Sequence, residues 1–203
     1  YQRSKLVKVD LLLNAIVARR RSRPATLSGV AAHQAMAASR VLDLVTFAAV
    51  APPPVQPNPG LRVVIAGSPL DSPHLHALLE TEGAVVVGDF HEFGEPAIGP
   101  MIDEAAPPLR ALTEHYHRGV ISSRTFPQST QPLLDLAQAV HADAVVFYFY
   151  AEEEALTWDY PAQRRALVEA GIAVLCLDGR PHHPDASDAA QVGRFLAGLK
   201  APA

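Results

Sequence analysis

Asp89, His91, Glu92 and Glu95 fall close together directly after an apolar run. An imidazole beside carboxylates offers a general base, and nitrogen and oxygen donors for a metal. The same grouping is common in solvated polar loops, so its position in the fold has to decide its meaning. A second acidic group, Glu152-Glu153-Glu154, follows Tyr148-Phe149-Tyr150. Adjacent carboxylates raise one another's pKa when desolvated, whereas a solvated acidic run suits the start of a helix. Glu152 and Glu154 read as solvated. Gly67-Ser68-Pro69 forms a turn whose backbone N–H groups could hold a phosphate or carboxylate, or which is simply an ordinary capped turn. It matches neither a P-loop nor GxGxxG. His182-His183 with Asp185 could bind metal, but the surrounding prolines suggest a surface loop. His115 and His117 would diverge on a helix. No Ser-His-Asp arrangement and no zinc signature is readable.

These residues are placed by a regular alternation of elements. Arg62–Ala66, Ala84–Gly88, Ala144–Tyr150 and Ile172–Leu177 are short apolar runs, mostly β-branched or aromatic. They do not alternate apolar with polar, which is how parallel strands covered on both faces read. The expected fold is α/β: a four-stranded, mainly parallel Rossmann-like sheet with helices on both faces, preceded by a helical segment. In open sheets of this kind, ligands sit beyond the carboxyl ends of the strands. Function is therefore expected in the loops Gly67–Ser72, Asp89–Ile98, Ala151–Tyr160 and Asp178–Ser187. Gly67, Ser68, Asp89, Glu92 and Tyr150 are the expected ligand-binding residues.

Leu6, Val9, Leu13, Ile16 and Val17 share a helical face, and Pro24 closes that helix. Ser28 can cap a second helix running through Met36, Val41, Leu42 and Leu44. Residues 1–50 thus form a helical segment. Residues 51–60, with five prolines, form a linker. Residues 61–203 form the α/β domain. Within it, Ser72 and Pro73 are placed to open a helix carrying Leu75, Leu78 and Leu79. A helix from about Pro108 carries Leu109, Leu112 and Tyr116, and another carries Leu133, Leu136, Ala137 and Val140. Pro161 opens a further helix ending at Gly171, and Val192, Phe195, Leu196 and Leu199 mark the closing one.

The chain has 203 residues, half of them apolar and a fifth charged, which suits one globular domain with an appendage. A net charge of −4 and a pI near 6.1 give no support to nucleic-acid binding. The cluster Arg19-Arg20-Arg21-Ser22-Arg23 reads as a solvated helix C-terminus, where cations suit the dipole, with a phosphate or partner contact as the alternative. The single cysteine, Cys176, reads as a small core residue in a strand. Neither a signal peptide nor a membrane span is visible, so a cytoplasmic location is expected. A start at Tyr1 inside a helical pattern reads as a processed product or part of something longer.

The strings themselves carry a resemblance. Arg62-Val63-Val64-Ile65-Ala66-Gly67-Ser68-Pro69-Leu70 is followed by a helix and then Gly83-Ala84-Val85-Val86-Val87. Later come Ala142-Asp143-Ala144-Val145-Val146, then Asp159-Tyr160-Pro161, then Leu167-Val168-Glu169-Ala170-Gly171-Ile172-Ala173-Val174-Leu175. In order and spacing this resembles the carboxyl-terminal half of the 2-hydroxyacyl-CoA dehydratase and benzoyl-CoA reductase family. The helices before the linker resemble that family's segment between its two halves.

The resemblance implies a subunit of two Rossmann-like halves holding an iron–sulfur cluster through cysteines. A separate ATP-hydrolysing activator supplies the electron for dehydration of a 2-hydroxyacyl-CoA or reduction of an aromatic thioester. This sequence departs from the family pattern at the ligands. Where the family has a cysteine two residues beyond an aspartate, Asp89 is followed by Phe90 and His91. Where it has a cysteine six residues before Asp-Tyr-Pro, Glu153 stands. Thiolates are the ordinary ligands of such clusters. His91 and Glu153 could instead hold a divalent metal, or stand as solvated replacements after loss of the cluster. The expectation is a cluster-less subunit or fragment that binds an acyl-CoA thioester or braces a related dehydratase-type subunit. A [4Fe–4S] cluster would enter only from a missing half or a partner. If the chain is active, the resemblance implies lyase- or reductase-type acyl-CoA chemistry within a complex. The alternatives are an enzyme using a redox-silent metal or His/Glu chemistry on the same scaffold, and a purely structural interaction subunit.

Overall fold

The computed structural model describes residues 2–49, 59–95, 102–118 and 130–200. Most of the proline-rich linker and the end of the loop after the second strand lie outside them. The elements are α1 (Gln2–Arg21), α2 (Gly29–Val41), α3 (Leu44–Ala49), β1 (Leu61–Gly67), α4 (His74–Thr81) and β2 (Ala84–Phe90). They continue as α5 (Pro108–Arg118), α6 (Thr130–Ala139), β3 (Ala144–Tyr150), a short 3-10 turn (Leu156–Trp158), α7 (Tyr160–Glu169), β4 (Ala173–Arg180) and α8 (Ala186–Lys200).

The strands form one sheet in the order β2-β1-β3-β4, with every pair parallel. Side chains alternate across the sheet, and β2, β3 and the centre of β1 are buried on both faces, whereas β4, at the edge, is mostly half-buried. On one face, Val64, Val85, Val145, Phe147 and Phe149 pack with Leu133 and Ala137 of α6 and Leu167 of α7. On the other, Val63, Ile65, Val86, Val146 and Tyr148 pack with Leu75 and Leu79 of α4 and Val192 and Leu196 of α8. The helical segment has a small core of its own, built on Leu13, Ile16, Val17, Leu27, Met36 and Phe47.

Two local features set the geometry at the edge of the sheet. The register of β1 against β2 slips after Val63, which pairs with Val86, so that Val64 pairs with Gly88. Val87 is the extra residue, and the bulge reverses the facing of everything beyond it. Phe90 consequently joins the face covered by α6, while Asp89 turns toward α4. The second feature is the start of α2. A Cβ on Gly29 would lie 2.5 Å from Val86 Cβ, so only glycine lets this helix approach β2 so closely. The Gly29 N–H donates to Glu80 Oε1 of α4 at 2.6 Å, and Ser28 Oγ accepts from Ala31 N at 3.1 Å as the cap.

Several element ends differ from the sequence reading. α2 stops at Val41, with a break before α3, so Leu44 opens a separate short helix. α4 begins at His74, and Ser72 Oγ meets the His74 ring nitrogen instead of a backbone N–H. β2 runs on through Phe90 and β4 through Arg180. On α5 the inward residues are Ala111 and His115, while Leu109 is exposed.

Candidate functional site

Because β2 is an edge strand, its carboxyl end is open to the helical segment, and α1 and α2 lie against it. Asp89 and His91 are two apart and point the same way, toward α4 and α2. There they meet His76 from α4 and His33 from α2. His33, His76, Asp89 and His91 are all buried, and each offers a ligand atom within 4.8 Å of the others. His76 Nε2 lies 2.9 Å from Asp89 Oδ1, and His91 Nε2 lies 4.0 Å from the same oxygen. The His33 ring centroid is 4.7 Å from that of His76 and 6.3 Å from that of His91.

Arg20 completes the group from α1. Its Nη1 donates to Asp89 Oδ2 at 2.7 Å, with both side chains fully buried. Its Nη2 lies 3.3 Å from Glu95 Oε1, and Arg21 also pairs with Glu95. The end of α1 is held down by Arg62 of β1, which donates to the carbonyls of Arg21 (2.9 Å), Ser22 (3.1 Å) and Val140 (2.8 Å). A cation on free helix carbonyls is a favourable cap. Reading the arginine cluster as a solvated helix end is therefore wrong for Arg20: the helix delivers it into the interior.

The electrostatics follow from burial and pairing. Burial works against the Asp89 carboxylate, but Arg20 and then His76 outweigh it and hold the acid well below its ordinary range. Burial pushes the His91 imidazole down to about 3 and that of His33 to about 4, with His76 adding to the effect on His33. Both are neutral imidazoles at physiological pH. Among the described residues, neither ring nitrogen of His91 has a hydrogen-bond partner, and Nδ1 of His33 and of His76 also lack one.

The remaining sequence-predicted residues lie elsewhere. Glu92 is exposed, and its carbonyl accepts from Arg40 at 3.3 Å. Glu153 stands beyond β3, with β1 between it and β2, and is not among the four clustered residues. Its Oε1 accepts from Leu156 N at 3.0 Å, capping the 3-10 turn, and its Oε2 lies 3.5 Å from Ser68 Oγ. Glu152 and Glu154 are exposed, and Glu152 pairs with His182 at 2.7 Å. Gly67 has φ +114°, and a Cβ there would lie 2.4 Å from the Tyr148 carbonyl oxygen. Ser68 is buried: its N–H donates to Tyr148 O at 3.0 Å and its Oγ accepts from Tyr150 N at 3.1 Å. Tyr150 donates its hydroxyl to Pro69 O at 3.0 Å. The turn after β1 is thus knitted to β3. Arg20, His33 and His76 escaped the sequence reading. For His76 a signal existed, since it sits between Leu75 and Leu79 on an inward helical face.

A family profile described as 2-hydroxyglutaryl-CoA dehydratase, D-component, matches residues 8–195. The chain belongs to this dehydratase family. The (R)-phenyllactyl-CoA dehydratase beta subunit of Clostridium sporogenes is 27% identical over 122 residues, which cover 58% of this chain and 33% of that protein. The aligned part spans about a third of that relative's length.

An iron–sulfur cluster of the kind the dehydratase resemblance implies needs thiolates. The chain's one cysteine, Cys176, lies within β4 and is hydrogen-bonded with Tyr160, and burial pushes its thiol up. The donors after β2 and β3 are His91 and Glu153, on separate sets of partners. This nitrogen and oxygen set does not fit a thiolate-held cluster.

Proposed function

We propose that this chain serves as a cluster-less subunit, or part of one, in a 2-hydroxyacyl-CoA dehydratase-type assembly, bracing a catalytic partner subunit and contributing to the binding of its acyl-CoA thioester. The observation that carries this reading is the placement of the donors. The chain belongs to the family and its one cysteine lies within β4, while the resemblance puts His91 and Glu153 at the loop positions of the cluster cysteines. The helical segment packs against β2, and the thioester or partner is assigned to the loops after β1, β3 and β4. Exposed Trp158, the last residue of the 3-10 turn after β3, suits a protein contact. The redox-silent-metal enzyme reading is weaker, because His91 is only 2% exposed and has no open side for substrate.

Co-purification with the dehydratase-type product of a neighbouring gene tests the proposal. The expected result is co-elution in size-exclusion chromatography, with acyl-CoA binding by calorimetry tighter for the complex than for either chain. A lone monomer at every mixing ratio that also ignores acyl-CoA would remove the reading.

A further inference from the structure

We propose that His33, His76, His91 and Asp89 form a closed, four-coordinate site for a divalent ion of the zinc class, clasping the helical segment to the edge of the sheet. The inference goes beyond the dehydratase reading and does not depend on it. Four donors converge from α2, α4, β2 and the first residue after β2, and lie within 4.8 Å of one another. Bonds of about 2.0–2.1 Å in a tetrahedron put ligand atoms about 3.4 Å apart. The His76–Asp89 separation of 2.9 Å and the His91–Asp89 separation of 4.0 Å straddle that value, so small side-chain rotations suffice.

The independent pointer to a ligand is His91. Its side chain is fully buried, yet neither ring nitrogen has a hydrogen-bond partner among the described residues. Buried polar groups are nearly always paired, so a fully buried imidazole with both ring nitrogens unpaired, its Nε2 4.0 Å from Asp89 Oδ1 and two further imidazoles beside it, calls for an occupant. Asp89 is already oriented for the task. Arg20 holds its Oδ2 at 2.7 Å and leaves Oδ1 toward the imidazoles, as an outer partner orients a metal ligand. Arg20 and Arg21 are balanced by Asp89 and Glu95, so no uncompensated cation stands in the way.

The donor set selects the ion. Three imidazoles and one carboxylate suit zinc, cobalt or nickel, whereas calcium and magnesium take oxygen ligands. Burial of all four residues leaves no position for exchangeable water, which marks a structural centre. Such an ion would bind residues distant in sequence, and so would lock α2 and α4 onto β2.

Chelator-treated full chain titrated with Co2+ provides the test. The expected result is saturation at about one ion per chain, with the strong visible absorption of four-coordinate cobalt. Zn2+ should bleach it. His33→Gln and His91→Gln, with folding checked by circular dichroism, should each weaken binding beyond the ~10–100-fold that altered outer partners cost. His182→Ala with His183→Ala, on the exposed loop, should leave the spectrum unchanged. Absence of saturable Co2+ binding by the unmutated chain overturns the proposal without recourse to any variant. So does a spectrum that survives both glutamine variants or vanishes with the surface pair.

Discussion

Replacing Arg20 by methionine keeps most of the side chain's apolar stem and removes its charge. In the folded protein the Arg20–Asp89 contact is 2.7 Å long with both partners fully buried, and Arg20 also lies 3.3 Å from Glu95. Arg20→Met would leave the Asp89 carboxylate in the interior with His76 as its remaining hydrogen-bond partner. Breaking a buried pair from one side costs about 3–5 kcal/mol, because the other charge stays desolvated. A cation at an exposed helix end contributes only about 0.3–1 kcal/mol. Urea unfolding followed by circular dichroism, with chelator present throughout, separates the two cases. With a slope of about 2 kcal/mol per molar, the midpoint should fall by roughly 1.5–2.5 M. Asp89→Asn added to Arg20→Met should restore part of the loss, giving a coupling of about 2 kcal/mol or more. A midpoint that moves by less than about 0.5 M, the shift of a solvated helix end, would refute the claim that α1 is anchored through this pair.

The metal-free protein should lose stability as pH falls from about 6.5 toward 4.5. The unfolded chain protonates His33 and His91 near 6.5, while the folded chain holds them neutral down to about 4 and about 3. The stabilisation is complete above 6.5 and fades at up to about 1.4 kcal/mol per pH unit for each histidine. Unfolding midpoints across pH 7.5–4.5 check this, and His91→Gln should flatten the slope; an unmutated chain with no slope there contradicts it. Ser68→Ala should cost about 1–3 kcal/mol in thermal or urea unfolding, because the buried Tyr150 N–H loses its acceptor. Unchanged stability would show that Ser68 is not tied into the sheet. Gly29→Ala should destabilise by about 1–3 kcal/mol through its clash with Val86, and amide exchange should rise in α2 before it rises in β3. Uniform loss of protection across both elements would argue against α2 docking as a separate clasp.

The strands were legible because continuous β-branched and aromatic runs have few other uses, and all four appear in a parallel sheet. Asp89 and His91 were legible as candidates because polar groups directly after such a run sit at a strand's carboxyl end. Their partners were not. His33 and His76 come from helices on either side of the linker, and no local spacing joins them. The facing of Asp89 depends on one extra residue, Val87, which no periodicity reveals. Arg20 lies among four arginines, and composition alone favours solvent for each of them; only the packing of α1 on the edge strand selects the one that goes inside. Glu153, paired with His91 through family resemblance, instead caps its own turn because β1 separates the two loops.

The account rests on nitrogen and oxygen donors standing where the family resemblance puts cluster thiolates, and anaerobic reconstitution of the full chain with iron and sulfide meets that claim most directly. After desalting, the protein should be colourless and free of acid-labile sulfide. A stable brown protein carrying about four irons and matching sulfide per chain would contradict it.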